Sequence, residues 1–399
     1  VTAAQILREL VGIASPSAVS NLPLLKWVEA FLGRCGWTVE LLPYVDEAGV
    51  AKANLLAWPG AASRPEFFEL AFVCHTDTVP FAAGWDGALR LEERAGNLHG
   101  CGSCDVKGAL ACFLAAVEWG SLDRPSPVIK PMVDMGHLDL SISNRFGSVG
   151  LILTADEEIG CRGMERLLAS ANFRIGSAIV SEPTSLRAGI AGKGYGLARV
   201  TVEGREAHSA FPAKGVSAIS VAARLIVRME EAFAANAQGI PEDSLFDPPR
   251  ATLNIGVIEG GTAKNIVPGR CSFLVEWRAI PGDDPERIVA DLRTVVARAQ
   301  ADTDAVIRLE ELRAEKGFSP AAEGHLQRRL AELLPGESTG FAFGISFGSE
   351  ASRVARIADE VIVIGPGDMR TAHSDRECAP LVELERWTSV LRELISVHG

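Results

Sequence analysis

Two histidines and five carboxylates stand where a folded chain could gather them for metal chemistry: His75, Asp77, Asp105, Glu157, Glu158, Glu182 and His373. Each has an ordinary explanation when taken alone. A histidine after a strand is usually structural, an aspartate before a helix is a common N-cap, and acidic residues suit a helix N-terminus. Together they form a mixed imidazole and carboxylate donor set, which suits Zn²⁺ and would also take Mn²⁺ or Co²⁺. A carboxylate shared by two ions makes a two-metal site that polarises a carbonyl and activates water near neutral pH. An unligated carboxylate beside it can take the water's proton and pass it to a leaving amine. Within the set, the His75-x-Asp77 spacing would let the Asp77 carboxylate orient the imidazole through its second ring N–H. The adjacent Glu157 and Glu158 would repel unless a cation or proton compensates them. Pro183 biases Glu182 toward extended backbone.

Such chemistry needs elements that gather residues far apart in the chain. Four short apolar runs, Leu70–Cys74, Val149–Leu153, Ala178–Val180 and Val361–Ile364, are too short for helices and read as buried strands. Helical patterns such as Gly108–Trp119 and Glu165–Ala171 lie between them. This alternation predicts an α/β catalytic domain with a mixed, largely parallel sheet. The runs lead into His75-Thr76-Asp77, Asp156-Glu157-Glu158, Ser181-Glu182 and the approach to His373. Ligands of open α/β sheets bind at the strands' carboxyl ends, so these residues are expected on one rim.

The rhythm changes from about residue 187. Leu197–Glu203, Ala251–Ile258, Arg270–Arg278 and Ala305–Leu312 read as strands, and Val216–Phe233 and Pro285–Ala299 as helices. The order β-α-β-β-α-β is the ferredoxin-like unit. The expected organisation is a discontinuous catalytic domain, 1–186 and 314–399, with an inserted ferredoxin-like α+β domain at 187–313. Ser121–Asn144 contains three prolines and no clear period, and is expected to be a long loop away from the catalytic rim. Its His137 is not assigned to the site.

Composition narrows the partners. The chain has 399 residues, 47% hydrophobic and 23% charged, with a formal net charge of −12. An acidic chain without a basic run is a poor match for a nucleic-acid backbone. No run reaches membrane-span length, and Val1–Leu10 lacks the pattern of a signal peptide. The eight cysteines are scattered without a disulfide framework, so a reducing, cytoplasmic location is expected. Cys101-x-x-Cys104 has no second CxxC and reads as small buried residues in a Gly-rich turn.

Several motifs carry a family resemblance that spans nearly the whole chain. His75-Thr76-Asp77-Thr78-Val79-Pro80 resembles the first zinc motif of the acetylornithine deacetylase and succinyl-diaminopimelate desuccinylase family of di-zinc amidohydrolases, relatives of aminoacylase-1 and glutamate carboxypeptidase. Gly100 through Gly108 is similar to its bridging-aspartate motif, and Thr154-Ala155-Asp156-Glu157-Glu158 to its base-plus-ligand motif. Ser181-Glu182-Pro183-Thr184 and Ala372-His373-Ser374 resemble the last two ligand motifs, and Ala207-His208-Ser209 the histidine motif of the lid domain. The run Ser374-Asp375-Arg376-Glu377 and the 121–144 excursion depart from the usual pattern.

The resemblance implies roles. His75 and Glu182 would hold one zinc, Glu158 and His373 the other, and Asp105 would bridge them. Asp77 would orient His75, and Glu157 would act as general base and acid. His208 would stabilise the oxyanion from the partner subunit of a homodimer formed through the lid. Asn265 and Arg278 would bind substrate, since arginine can grip a carboxylate bidentately. The implied activity is hydrolysis of an N-acyl amino acid, with a di-zinc carboxypeptidase or dipeptidase as the alternative and a non-catalytic binding protein of the same fold as a third reading. The implied partner is a small N-acyl amino acid or short peptide.

Overall fold

The four apolar runs become the centre of one sheet. In the computed structural model, which describes residues 1–60, 63–82, 84–121, 148–236, 245–335 and 342–395, the strand Phe67–His75 lies between Val149–Thr154 and Arg174–Val180 and is parallel to both. Ala358–Val363 continues the sheet, parallel to Arg174–Val180. Toward their carboxyl ends these strands are apolar and buried, because parallel strands are covered on both faces. All six residues of Val149–Thr154 are buried.

Antiparallel strands border this parallel centre, so the sheet is mixed. The hairpin Trp37–Val45 and Ala51–Pro59 joins it where Leu55 pairs antiparallel with Leu153. On the far side Gly189 pairs antiparallel with Val363. The helix Lys107–Ser121 is buried from Lys107 to Val117 and packs against Ala3–Gly12 and Leu381–Leu394. Phe113 on this helix stacks on Phe72 of the central strand with ring centroids 4.7 Å apart. Such a pair contributes about 0.5–1.5 kcal/mol beyond its burial.

The chain divides into two compact units. The first comprises Val1–Ile190, Pro320–Ala342 and Ser349–Gly399, and the second Ala191–Ser319 and Phe343–Gly348. The second unit holds a four-stranded antiparallel sheet in the order Thr252–Gly260, Arg270–Arg278, Tyr195–Glu203, Val306–Glu315. Helices Ala218–Asn236 and Pro285–Ala301 bury Val221, Leu225, Ile288 and Leu292 in one core with Ala198, Val200, Val202, Phe273 and Val275. The strand residues follow the two-residue period of a sheet with one covered face. This is the ferredoxin-like order. Gly196 is required by packing, since a Cβ there would lie 1.8 Å from the buried Trp277 ring. Of the 121–144 excursion, everything from residue 122 onward, His137 included, lies outside the described residues.

Candidate metal centre

Parallel register brings the chemistry to one rim of the first unit. His75 ends its strand level with Thr154. The Thr154 carbonyl accepts both the Thr76 N–H at 2.9 Å and the Thr76 hydroxyl at 2.7 Å. Ser181 leaves the next strand, its N–H donating to the Val73 carbonyl at 2.9 Å. The segments after Glu182 and before His373 are laced together, Thr184 N–H to the Gly365 carbonyl and Gly365 N–H to the Thr184 hydroxyl, each at 3.2 Å. Gly365 must be glycine at so close an approach, because a Cβ would come within 2.7 Å of the Glu182 carbonyl oxygen.

Asp105 stands at the middle of the cluster. Its Oδ1 lies 3.1 Å from His75 Nε2 and its Oδ2 lies 3.1 Å from His373 Nε2. His373 Nε2 is also 3.2 Å from Glu158. Ligand atoms of His75, Asp105 and Glu158 all lie within 4.8 Å of one another, a spacing one cation can span. Glu182 is buried in the same environment, where Asp105 and Glu157 act on its charge. His373 adopts a left-handed backbone, φ 59°, which for a non-glycine residue is a strained conformation typical of functional sites.

Asp77 is placed differently from the sequence expectation. The His75 Nδ1–H meets the Asp77 main-chain carbonyl at 2.9 Å, while the nearer carboxylate oxygen is 3.7 Å away. Donation through Nδ1 still leaves Nε2 as the nitrogen for a ligand. The carboxylate instead accepts the N–H groups of Glu157 at 3.1 Å and Glu158 at 3.3 Å, and the Ser17 hydroxyl at 2.7 Å. One aspartate therefore ties the His75 strand end to the Glu157–Glu158 turn.

The electrostatics are those of a cation site. Burial pushes Glu157 up to about 8; Glu158, Glu350 and Asp77 add to the rise and His75 opposes it. Burial also raises Glu182 well above the carboxylate range, with Asp105 and Glu157 reinforcing it. Burial pushes Asp105 the same way, but hydrogen bonds from His373 and His75 overcome it and hold the carboxyl low. Burial disfavours a charged His75, yet the Asp105 hydrogen bond and charge raise it well above the ordinary value. Hydrogen bonds from Asp105 and Glu158 raise His373 to about 10. The carboxylates crowd more negative charge than the two histidines can neutralise. A divalent cation fits such a donor set in charge and in ligand type.

Several contributors carry no signal in the local sequence pattern. Glu350 is buried; its Oε2 accepts the Thr154 hydroxyl at 2.8 Å, and its Oε1 has no hydrogen-bond partner among the described residues. Burial raises it to about 7, against the opposing influence of His75. Asp156 is left-handed at φ 61° immediately before Glu157, and its carboxylate is held by Lys52 and by the Tyr44 hydroxyl at 2.9 Å. Lys52 was the detectable one, the single charged residue in the buried strand Ala51–Pro59. Glu377 is buried and bonds the turn that carries Asp105; burial raises it to about 7, the Gly102 N–H holding it down and Asp105 adding to the rise.

The remaining expected residues lie in the second unit. His208 is exposed, and its Nδ1 accepts the Ala210 N–H at 3.1 Å. Its segment pairs with that of Asn265, through a bridge between His208 and Ile266 and the Ser209 N–H donating to the Asn265 carbonyl at 3.0 Å. Arg278 is half-buried, donates to Glu276 at 3.0 Å and lies over the Tyr195 ring at 4.4 Å. Cys101 and Cys104 are buried and unpaired, as expected for a tight turn.

Comparison with known proteins supplies the wider context. Residues 71–127 match the family described as "Peptidase family M20/M25/M40", and residues 190–304 match "Peptidase dimerisation domain". The chain is 38% identical to an acetylornithine deacetylase of Myxococcus xanthus over 98% of this chain and 96% of the relative. It is 27% identical to an acetylornithine deacetylase of Proteus mirabilis over 98% of this chain and 95% of that one. Among solved structures, a tripeptidase from Staphylococcus aureus superposes with a TM-score of 0.73 at 22% identity, covering 99% of this chain and 97% of its own. A metallo-carboxypeptidase from Sulfolobus solfataricus gives a TM-score of 0.68 at 16% identity, covering 97% of both chains.

Proposed function

The chain belongs to the M20 peptidase family, among its acetylornithine-deacetylase-like members, and from that premise we propose that it hydrolyses the amide of an N-acyl amino acid. At the coarser level it is a metal-dependent amide or peptide hydrolase. The observation that carries the hydrolytic reading is Asp105, whose two oxygens face two different histidines, with the buried Glu157 in the same cluster. The proposed ligands are His75 and Glu182 for one Zn²⁺, Glu158 and His373 for the other, and Asp105 for both. Bound there, the ions would supply Lewis-acid polarisation of the amide carbonyl and activation of water.

The chain's own residues do the rest. A Glu157 carboxylate oxygen takes the proton of the attacking water and delivers it to the leaving nitrogen. Its raised proton affinity suits it to hold the proton between those steps. Asp77 fixes the Glu157–Glu158 turn through two N–H groups. In neutral His208, acceptance at Nδ1 places the ring proton on Nε2, making that N–H the donor we assign to the carbonyl oxygen. Asn265 and Arg278 are assigned to substrate binding, the Arg278 guanidinium to the substrate's carboxylate.

The 38% identity to a deacetylase along 98% of the chain supports the acyl-amino-acid substrate. A dipeptidase or carboxypeptidase activity is the second reading; the two superposed peptidases, at 22% and 16% identity, share the fold. Turnover of acetylornithine, succinyl-diaminopimelate and a dipeptide panel on zinc-replete protein separates the two. Hydrolysis of dipeptides alone would reject the deacetylase reading. Fewer than about one bound ion per chain after gentle purification would reject the metal assignment.

We further propose a homodimer through the second unit. Its sheet ends in the edge strand Thr252–Gly260, which exposes Val257 and Ile258 by 46% and 52%. An apolar edge of this kind invites pairing with a second copy. No described helix is long and apolar enough to cross a membrane. We assign the protein to the cytoplasm on its eight unpaired cysteines. His208→Ala is expected to lose roughly 10²–10³ in kcat, as oxyanion donors do. Mixed with a Glu157→Ala chain it should regain activity if the histidine acts across the dimer. No recovery in verified mixed dimers would place the histidine in its own chain's site.

A further inference from the structure

We infer that Glu377 is a positioning residue for the metal pair, holding the turn that presents Asp105 from a point four residues beyond His373. The inference rests on the proposed ligand set. Glu377 is 2% exposed. Its Oε2 accepts the Gly102 N–H at 3.0 Å, and its Oε1 accepts the N–H groups of Cys104 and Asp105, each at 3.1 Å. Its main-chain carbonyl takes the Gly100 N–H at 3.4 Å, and its own N–H donates to the Ser374 carbonyl at 3.1 Å. Successive N–H groups pointing inward form an anion-binding concavity. Here the anion comes from the chain itself.

The consequence is mechanical coupling between two ligand-bearing segments. Asp105's own N–H is one of the three donors, so the Glu377 carboxylate constrains the backbone that aims the Asp105 side chain. The same segment carries His373, whose Nε2 faces Asp105 Oδ2. Charge-assisted bonds to N–H groups are about twice as strong as neutral ones. A glutamine would keep one acceptor oxygen and turn an amide donor toward N–H donors. An aspartate would keep the charge and shorten the reach by one methylene.

The test is zinc affinity, measured by competition with a chromophoric chelator on wild type, Glu377→Gln and Glu377→Asp, alongside thermal unfolding of each metal-free chain. Supporting groups behind metal ligands typically govern affinity by 10–100-fold. Glu377→Gln is expected to weaken binding by about that factor, with Glu377→Asp recovering part of it. A purely structural role would lower the metal-free unfolding midpoint and leave the folded protein's affinity within about twofold of wild type, and that result overturns the inference. If Glu377→Gln does not fold, a Glu377→Asp chain with wild-type affinity overturns it equally. Wild type that binds no zinc overturns the metal assignment on which the inference stands, and so is distinguishable from failure of Glu377 alone.

Discussion

Glu157→Gln is expected to keep its bound metal and lose roughly 10²–10⁴ in kcat, the range for a lost general base. The substitution preserves volume and leaves an oxygen for the contact from the Cys161 thiol, which now lies 3.3 Å from Glu157 Oε1. Metal retention follows from geometry, because the atoms that converge within 4.8 Å belong to His75, Asp105 and Glu158 and not to Glu157. KM should change little, since a proton acceptor contributes mainly in the transition state. The pH profile offers a second measurement. Without cations burial holds Glu157 near 8, and nearby positive charge favours the carboxylate. The acid limb of kcat/KM in the loaded enzyme should therefore lie below about 8, activity rising with pH as the base deprotonates. Normal turnover in Glu157→Gln with full metal content would remove Glu157 from its assigned role.

The gathering of residues at one rim was legible because parallel strands carry a conspicuous signature. Strands such as Val149–Thr154 are buried on both faces, so their sequences are unbroken apolar runs and their carboxyl ends stand out as the first polar residues. The ferredoxin-like unit was legible for the complementary reason, the two-residue alternation seen at Ala198, Val200 and Val202. The contacts of Asp77 were not. Two residues of spacing allow either its carbonyl or its carboxylate to reach His75, and only the folded turn shows that the carboxylate serves Glu157 and Glu158 instead. Glu350 and Glu377 escaped because their partners, Thr154 and the Gly102–Asp105 turn, are remote in sequence. A long-range partner leaves no periodic trace in the sequence.

Stripping the ions is expected to abolish turnover and to make the folded chain lose stability as pH rises from about 5 to about 8. Six groups set the sign. Glu157 lies near 8, Glu350 and Glu377 near 7, Glu182 and His75 are raised well above their ordinary values, and His373 is raised to about 10. Ordinary carboxyls titrate near 4 and histidine near 6.5. Over this interval the folded chain therefore holds protons that the unfolded chain has released. Stability falls with pH wherever the folded state binds more protons. For each group the contribution is fully present below its unfolded value and is lost as pH climbs through its folded one. A single group can impose at most about 1.4 kcal/mol per pH unit. His373 contributes less, because its half-exposed ring is screened by solvent. Asp105 has the opposite sign, but its carboxyl is held low, so its contribution is lost only in acid and does not enter this window. Cations supply the compensation that the protons otherwise provide, so the zinc-replete chain should be nearly flat across the same range. At a thousandfold excess over Kd, each bound ion adds about 4 kcal/mol. Unfolding midpoints of chelator-treated and zinc-replete protein from pH 5 to 8 measure both effects. A stripped chain whose stability rises with pH, or matches that of the loaded chain throughout, would mean that these carboxylates are not held together by a metal.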